Sequence, residues 1–230
     1  MIRHQHRRHF ILSVATGAVV GLCGPAVWAQ TQPAKSAAPS NTKAQAPVIL
    51  VLGDSLSAEY GLARGTGWVA LLEKQLSKEK PGVKVVNASV SGETTSGGRS
   101  RLAALLAQHQ PSHVVIELGG NDALRGLPLK NTEDNLNWMT QTAQKAGAKV
   151  LLVGMQVPPN YGTDYAKRFA ALFVGVAQAN KAAVVPFLLK GVADGPDPTR
   201  LFQADRIHPR AEAHPQMLAN VWPELKKLLR

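Results

Sequence analysis

The chain has 230 residues, 26 Lys and Arg against 15 Asp and Glu, a net charge of +11, and 45% hydrophobic side chains. That length is enough for one domain with a proper core, and the basic residues are scattered rather than interleaved with aromatics in a stripe, which excludes a nucleic-acid footprint. One cysteine, Cys23, excludes a disulfide framework and a thiolate metal site.

In chain order, Arg3, Arg7 and Arg8 come first without an acid among them, followed by an apolar stretch over 10–28 that ends in Val27-Trp28-Ala29. A basic start, an apolar middle and small residues before a cut after Ala29 make a secretory signal peptide of residues 1–29. Gly17, Gly21, Gly24 and Pro25 interrupt the apolar stretch and make it a poor membrane span. Arg7-Arg8-His9-Phe10-Ile11-Leu12 also resembles a twin-arginine signal, so the export route stays open. Cys23 follows Leu22 rather than the small residue that precedes a lipid-anchored cysteine. The mature protein is therefore expected in the periplasm or the medium, with no stable membrane anchor. Residues 30–46, rich in Ala, Pro, Ser, Thr, Gln and Lys without apolar periodicity, read as a disordered linker.

The domain is expected over 47–230. Five consecutive aliphatic residues, Val48 to Leu52, predict a strand buried on both faces. A helix follows over 67–76 with Trp68, Leu71, Leu72 and Leu76 inward, stopped by Pro81-Gly82; then come a strand over 83–86, a helix over 98–108 and a strand over 114–118. A helix over 132–146, a strand over 149–153, a helix over 165–180 and a short strand over 183–187 continue the alternation. The last helix, over 209–229, is expected to be interrupted near Pro215 and Pro223. Strands alternating with helices of this length predict an α/β fold, a three-layer α/β/α sandwich on a five-stranded parallel sheet of flavodoxin-like order 2-1-3-4-5.

In such sheets ligands bind beyond the carboxyl ends of the strands, where strand order reverses. Ser55, directly after the first strand, is a candidate nucleophile there, although a serine at that place also serves as a turn former or cap. Gly92 and Asn121, after the second and third strands, fall on the same edge. The Ser55 and Gly92 backbone N–H groups and the Asn121 amide are candidate donors to an oxyanion; Gly92 alone reads equally as a turn glycine. Of the histidines after the signal, His109 and His113 lie before the third strand, at the opposite end of the sheet, and are expected at the surface. His214 has no carboxylate in an obvious position. His208 has Asp205 three residues before it, the spacing of a base with its orienter, although Asp205 also suits a helix cap.

Together, Gly53-Asp54-Ser55-Leu56-Ser57, Gly92 within Asn87-Ala88-Ser89-Val90-Ser91-Gly92-Glu93, Gly119-Gly120-Asn121-Asp122 and Asp205-x-x-His208-Pro209 resemble, in order and spacing, the four blocks of the GDSL or SGNH hydrolase family, and above all its secreted bacterial branch of thioesterases, lysophospholipases and arylesterases. The resemblance runs from about Val48 to the end of the chain. It implies an esterase or thioesterase acting on small-molecule esters through an acyl-Ser55 intermediate, without metal or organic cofactor, with catalytic Ser55, Asp205 and His208 and oxyanion donors Ser55, Gly92 and Asn121. Leu124-Arg125-Gly126-Leu127-Pro128 and Pro158-Pro159-Asn160-Tyr161-Gly162 look like the loops that line the family's acyl pocket; Leu124, Leu127, Pro128, Met155, Val157, Pro158 and Tyr161 fall in or beside the loops after strands three and four and are expected to wall one apolar cleft, unless they pack inward as ordinary core. Arg206 and Arg210 depart from the branch, which more often has glycine at the first and a small or polar residue at the second. A carbohydrate acetylesterase with the same triad and a polar pocket is one alternative. A non-catalytic anion-binding module of flavodoxin type is the other.

Overall fold

The computed structural model describes residues 46–230; the expected signal peptide and nearly all of the linker lie outside the described residues. Five parallel strands form one sheet: β1 Val48–Gly53, β2 Lys84–Asn87, β3 His113–Glu117, β4 Lys149–Val153 and β5 Ala183–Val185, in the order β2-β1-β3-β4-β5. This is the expected order. β1 is buried at all six positions because helices cover both faces of the sheet, so an uninterrupted aliphatic run suits it better than an alternating one. In register, Gly53 lies opposite Glu117, which puts the ends of β1 and β3 side by side.

Six helices complete the layers: α1 Trp68–Glu79, α2 Thr95–His109, α3 Gly120–Leu124, α4 Leu129–Lys145, α5 Thr163–Ala179 and α6 His214–Leu228. Trp68, Leu72 and Leu76 of α1, Leu102 and Leu106 of α2, Leu136 and Met139 of α4, and Phe169 and Phe173 of α5 are buried against the strands. Fully burying each such side chain stabilises the fold by about 1.5–3 kcal/mol relative to leaving it in water.

Several boundaries differ from those expected. α2 begins at Thr95 rather than 98, because the Thr94 side chain accepts from the Gly97 N–H and caps the helix earlier than its apolar pattern starts. α3, too short to show a period, was not expected. α4 starts at Leu129 directly after Pro128, three residues early. Pro215 lies in the first turn of α6, where its missing N–H costs nothing, so it begins the helix instead of interrupting it; Pro223 sits within the helix. One histidine is also corrected. His113 is buried, its ring held between Ser112 Oγ at 2.9 Å and the Leu228 carbonyl at 3.0 Å, because the C-terminal end of α6 covers the amino end of β3. His214 is buried as well, and its Nδ1 accepts from the Trp68 N–H at 3.0 Å.

Candidate active site

Ser55 stands in the turn directly after β1. Its Oγ lies 2.9 Å from His208 Nε2, and His208 Nδ1 lies 2.6 Å from Asp205 Oδ2. An ionised carboxylate only accepts, so Nδ1 carries the ring proton and Nε2 is left to accept from the serine hydroxyl. Asp205 is fixed by more than the imidazole: its Oδ1 accepts the N–H groups of Ile207 and His208 at 2.9 and 3.0 Å. Partial desolvation works against the charge, but the bonds from the His208 ring and from these two N–H groups outweigh it and hold the carboxyl down at about 2.

This tight Asx turn explains the backbone at Arg206, whose φ of 58° is left-handed. Glycine adopts that conformation without cost, which is the physical reason a glycine suits the position and an arginine strains it. Gln203 then fastens the turn from behind. Its N–H donates to the His208 carbonyl at 2.8 Å, and its side-chain amide donates to the Pro209 carbonyl at 3.2 Å and to the Tyr60 carbonyl at 3.0 Å. The Tyr60 ring lies over His208, centroids 4.3 Å apart. His214, facing the Pro209 carbonyl as well as the Trp68 N–H, ties the same turn to the start of α1.

The donors come from three loops. Among the described residues, neither the Ser55 nor the Gly92 N–H has an acceptor. Gly92 has φ 78°, so a side chain here would be strained, and Arg125 Nη2 donates to its carbonyl at 2.8 Å. Asn121, the second residue of α3, uses one amide N–H on Asp54 Oδ2 at 3.0 Å and keeps the other. Buried Asp122 joins the loops carrying these groups: it accepts from the Thr95 N–H at 2.8 Å and from the Thr95 and Thr132 hydroxyls. The elements thus converge. A hydroxyl bonded to an imidazole, an imidazole oriented by a carboxylate, and unspent N–H donors beside them form the set that acyl transfer needs.

The expected pocket residues are spread over different settings. Leu124 is exposed, and Leu127 borders a polar recess of about 310 Å³ together with Ser96, Arg99, Asn131 and Asn135. Met155 is buried in the core, Val157 is half-buried against it, and Pro158 and Pro128 are exposed. Tyr161 stacks on Tyr165, centroids 6.2 Å apart. Outside that group, the large apolar side chains of Val90, two residues before Gly92, of Ile207, next to His208, and of Tyr60, whose ring packs on His208, are left exposed.

Two groups at the site carry no expectation from the sequence: buried Asp54, next to Ser55 in the chain and bonded to Asn121, and buried Glu117, which accepts from the Asp54 N–H. A carboxylate that ends an aliphatic strand reads as strand; only the register that sets Glu117 beside Gly53 reveals it.

The sequence model of the GDSL-like lipase/acylhydrolase family matches residues 51–215, which takes in Ser55, Gly92, Asn121, Asp205 and His208. The chain belongs to this family. It is 51% identical over 187 residues to the esterase TesA of Pseudomonas aeruginosa, covering 81% of this chain and 92% of that one. It is also 41% identical over 172 residues to thioesterase 1/protease 1/lysophospholipase L1 of Escherichia coli K12, covering 75% and 80%. A crystal structure of TesA superposes with a TM-score of 0.75 at 51% identity, covering 79% of this chain and 99% of that one. The esterase EstA from a Pseudoalteromonas species, inhibited by monoethylphosphonate, does so with 0.73 at 41% identity, covering 79% and 98%. This chain is a GDSL-type hydrolase of carboxylic esters or thioesters.

Proposed function

We propose that hydrolysis proceeds through an acyl-Ser55 intermediate, with His208 as the base, Asp205 as its orienter, and the Ser55 and Gly92 N–H groups with the Asn121 amide as the oxyanion hole. The observation that carries this reading is the unbroken chain of hydrogen bonds Ser55 Oγ to His208 to Asp205, 2.9 and 2.6 Å long, beside two N–H groups without an acceptor. In the first step Ser55 Oγ adds to the acyl carbonyl while His208 Nε2 takes its proton. The carbonyl oxygen becomes negative among the three donors, and the imidazolium then protonates the departing alcohol or thiol. Water, deprotonated by the same nitrogen, releases the acid in the second half.

The substrate is a small ester or thioester of short to medium acyl chain, an aryl ester or a lysophospholipid. Exposed Leu124, Ile207, Val90 and Tyr60 at the rim favour an apolar acyl group. We read residues 1–29 as an export signal that delivers the enzyme to the periplasm or the medium. No helix among the described residues is long and apolar enough to cross a membrane.

Ser55→Ala tests the assignment. The variant should fold and lose activity on aryl esters and acyl thioesters by about three or more orders of magnitude. A folded variant that keeps most of its activity would overturn it.

A further inference from the structure

Glu117, the last residue of β3, is completely buried, and among the described residues its carboxyl meets no cation. Oε2 accepts from the Ser57 hydroxyl at 2.8 Å and, weakly, from the Asp54 N–H at 3.4 Å; Oε1 has no partner. The Ser57 hydroxyl in turn accepts from Trp68 Nε1 at 3.1 Å. Asp54 beside it is also buried, with Oδ1 accepting from the Leu56 N–H and Oδ2 from the Asn121 amide, both at 3.0 Å. The titratable groups acting on the pair are each other and His208 across the nucleophile; Ser57, Trp68 and Asn121 are neutral. Two carboxylates cannot both stay charged in such a place, and a charged Glu117 would leave one oxygen with nothing to solvate it.

We propose that Glu117 is a positioning residue that stays protonated at neutral pH and donates to the Asp54 carboxylate, so that the pair holds a single negative charge and fixes the Asn121 amide on the oxyanion. This rests on the role of Asn121 proposed above. Burial pushes the Glu117 carboxyl well above its ordinary value and the Asp54 charge pushes it further, whereas Asp54 is raised by burial only to about 6, bonds from Leu56 and Asn121 opposing the rise. Asp54 has a donor on each oxygen, the Leu56 N–H and the Asn121 amide, whereas Glu117 Oε1 has none among the described residues, so the proton belongs on Glu117 and the charge on Asp54. Since Asn121 spends one N–H on Asp54, an ionised acceptor there is what keeps the other from swinging away from the substrate.

Infrared difference spectroscopy and two variants decide it. The intact enzyme at pH 7 should show the C=O stretch of a protonated carboxylic acid, and Glu117→Gln should abolish that band. Because the amide of Gln can donate to Asp54 and its carbonyl can accept from Ser57, Glu117→Gln should keep kcat within about threefold, whereas Glu117→Leu should lower kcat about tenfold or more with KM within about twofold. Absence of the acid band, its survival in Glu117→Gln, or a folded Glu117→Gln enzyme that loses more than about a hundredfold in kcat would each overturn the proposal. If Glu117→Leu does not fold, the band and Glu117→Gln still decide. The infrared readout needs no turnover, so a failure of the acyl-Ser55 reading is told apart by Ser55→Ala alone.

Discussion

At the scale of single residues, the site is governed by where each polar atom is already committed. Asn121 divides its amide between Asp54 and the oxyanion position, so Asn121→Ala removes a donor and strips Asp54 Oδ2 of its partner at once. We expect kcat to fall about 10²–10³-fold, measured on one good ester at saturation. Gly92 is needed for its backbone: with φ 78° and nothing nearer to an added Cβ than Arg125 Nη2 at 3.7 Å, Gly92→Ala should cost about 1–2 kcal/mol of strain without a clash. Denaturant unfolding would read that loss. Arg206→Gly should do the reverse, relieving a φ of 58° and raising stability by about 1 kcal/mol with the triad intact. Acid should reach Asp54, which holds the Asn121 amide, before it reaches the orienter. Asp205 stays ionised down to about 2, whereas Asp54 takes a proton near 6. kcat/KM should therefore fall on acidification below neutrality while Asp205 is still charged. A profile flat from about pH 8 to 4, with chemistry limiting, would count against this assignment.

Elements show which parts of the molecule sequence makes legible. The strands were legible from their aliphatic runs and the helices from their apolar faces, and with them the sheet order that converges Ser55, Gly92 and Asn121. Helix starts were less so, since they are set by single caps such as Thr94, or by Pro215 in a first turn, which periodicity does not register. Asp205 and His208 were visible from spacing. His214 was not, because its partner, the Trp68 N–H, lies 146 positions away. Glu117, Asp122 and His113 escaped for the same reason: each is bonded to residues distant in the chain, Glu117 through Oε2 alone. Since His214 links α1, α6 and the turn holding His208, His214→Phe should leave the Trp68 N–H unpaired, cost about 1–3 kcal/mol, and reduce kcat as that turn loosens. A variant with unchanged stability and kcat would show that the link carries no weight.

For the whole molecule, buried titratable groups set opposite slopes of stability with pH. His113 and His214 are pushed below 6.5 by burial, so the unfolded chain gains protons first and stability falls as pH drops below about 6.5. Asp54 and Glu117 are pushed up by burial, so the folded state keeps protons that the unfolded chain has released above 3.8 and 4.5; their contribution falls as pH rises, for Asp54 through about 6 and for Glu117 further on. With Glu117 protonated at neutral pH as proposed, the Tm of the wild type should decline relative to Glu117→Gln as pH rises further. Substrate choice is a property of the whole rim. Each acyl methylene buried against it should contribute up to about 0.8 kcal/mol, roughly fourfold in kcat/KM, so rates on p-nitrophenyl esters should climb from acetyl to medium chains and then fall. A steady decline from acetyl would point to a short, polar pocket. The central claim, that the acyl group passes through Ser55, is tested most directly by quenching a slow ester turnover in acid and mapping the labelled peptide by mass spectrometry. The acyl mass should sit on Ser55 in the wild type and be absent from Ser55→Ala. An acyl group found on any other residue, or an active wild type with none at all on Ser55 under conditions that trap a burst, would contradict it.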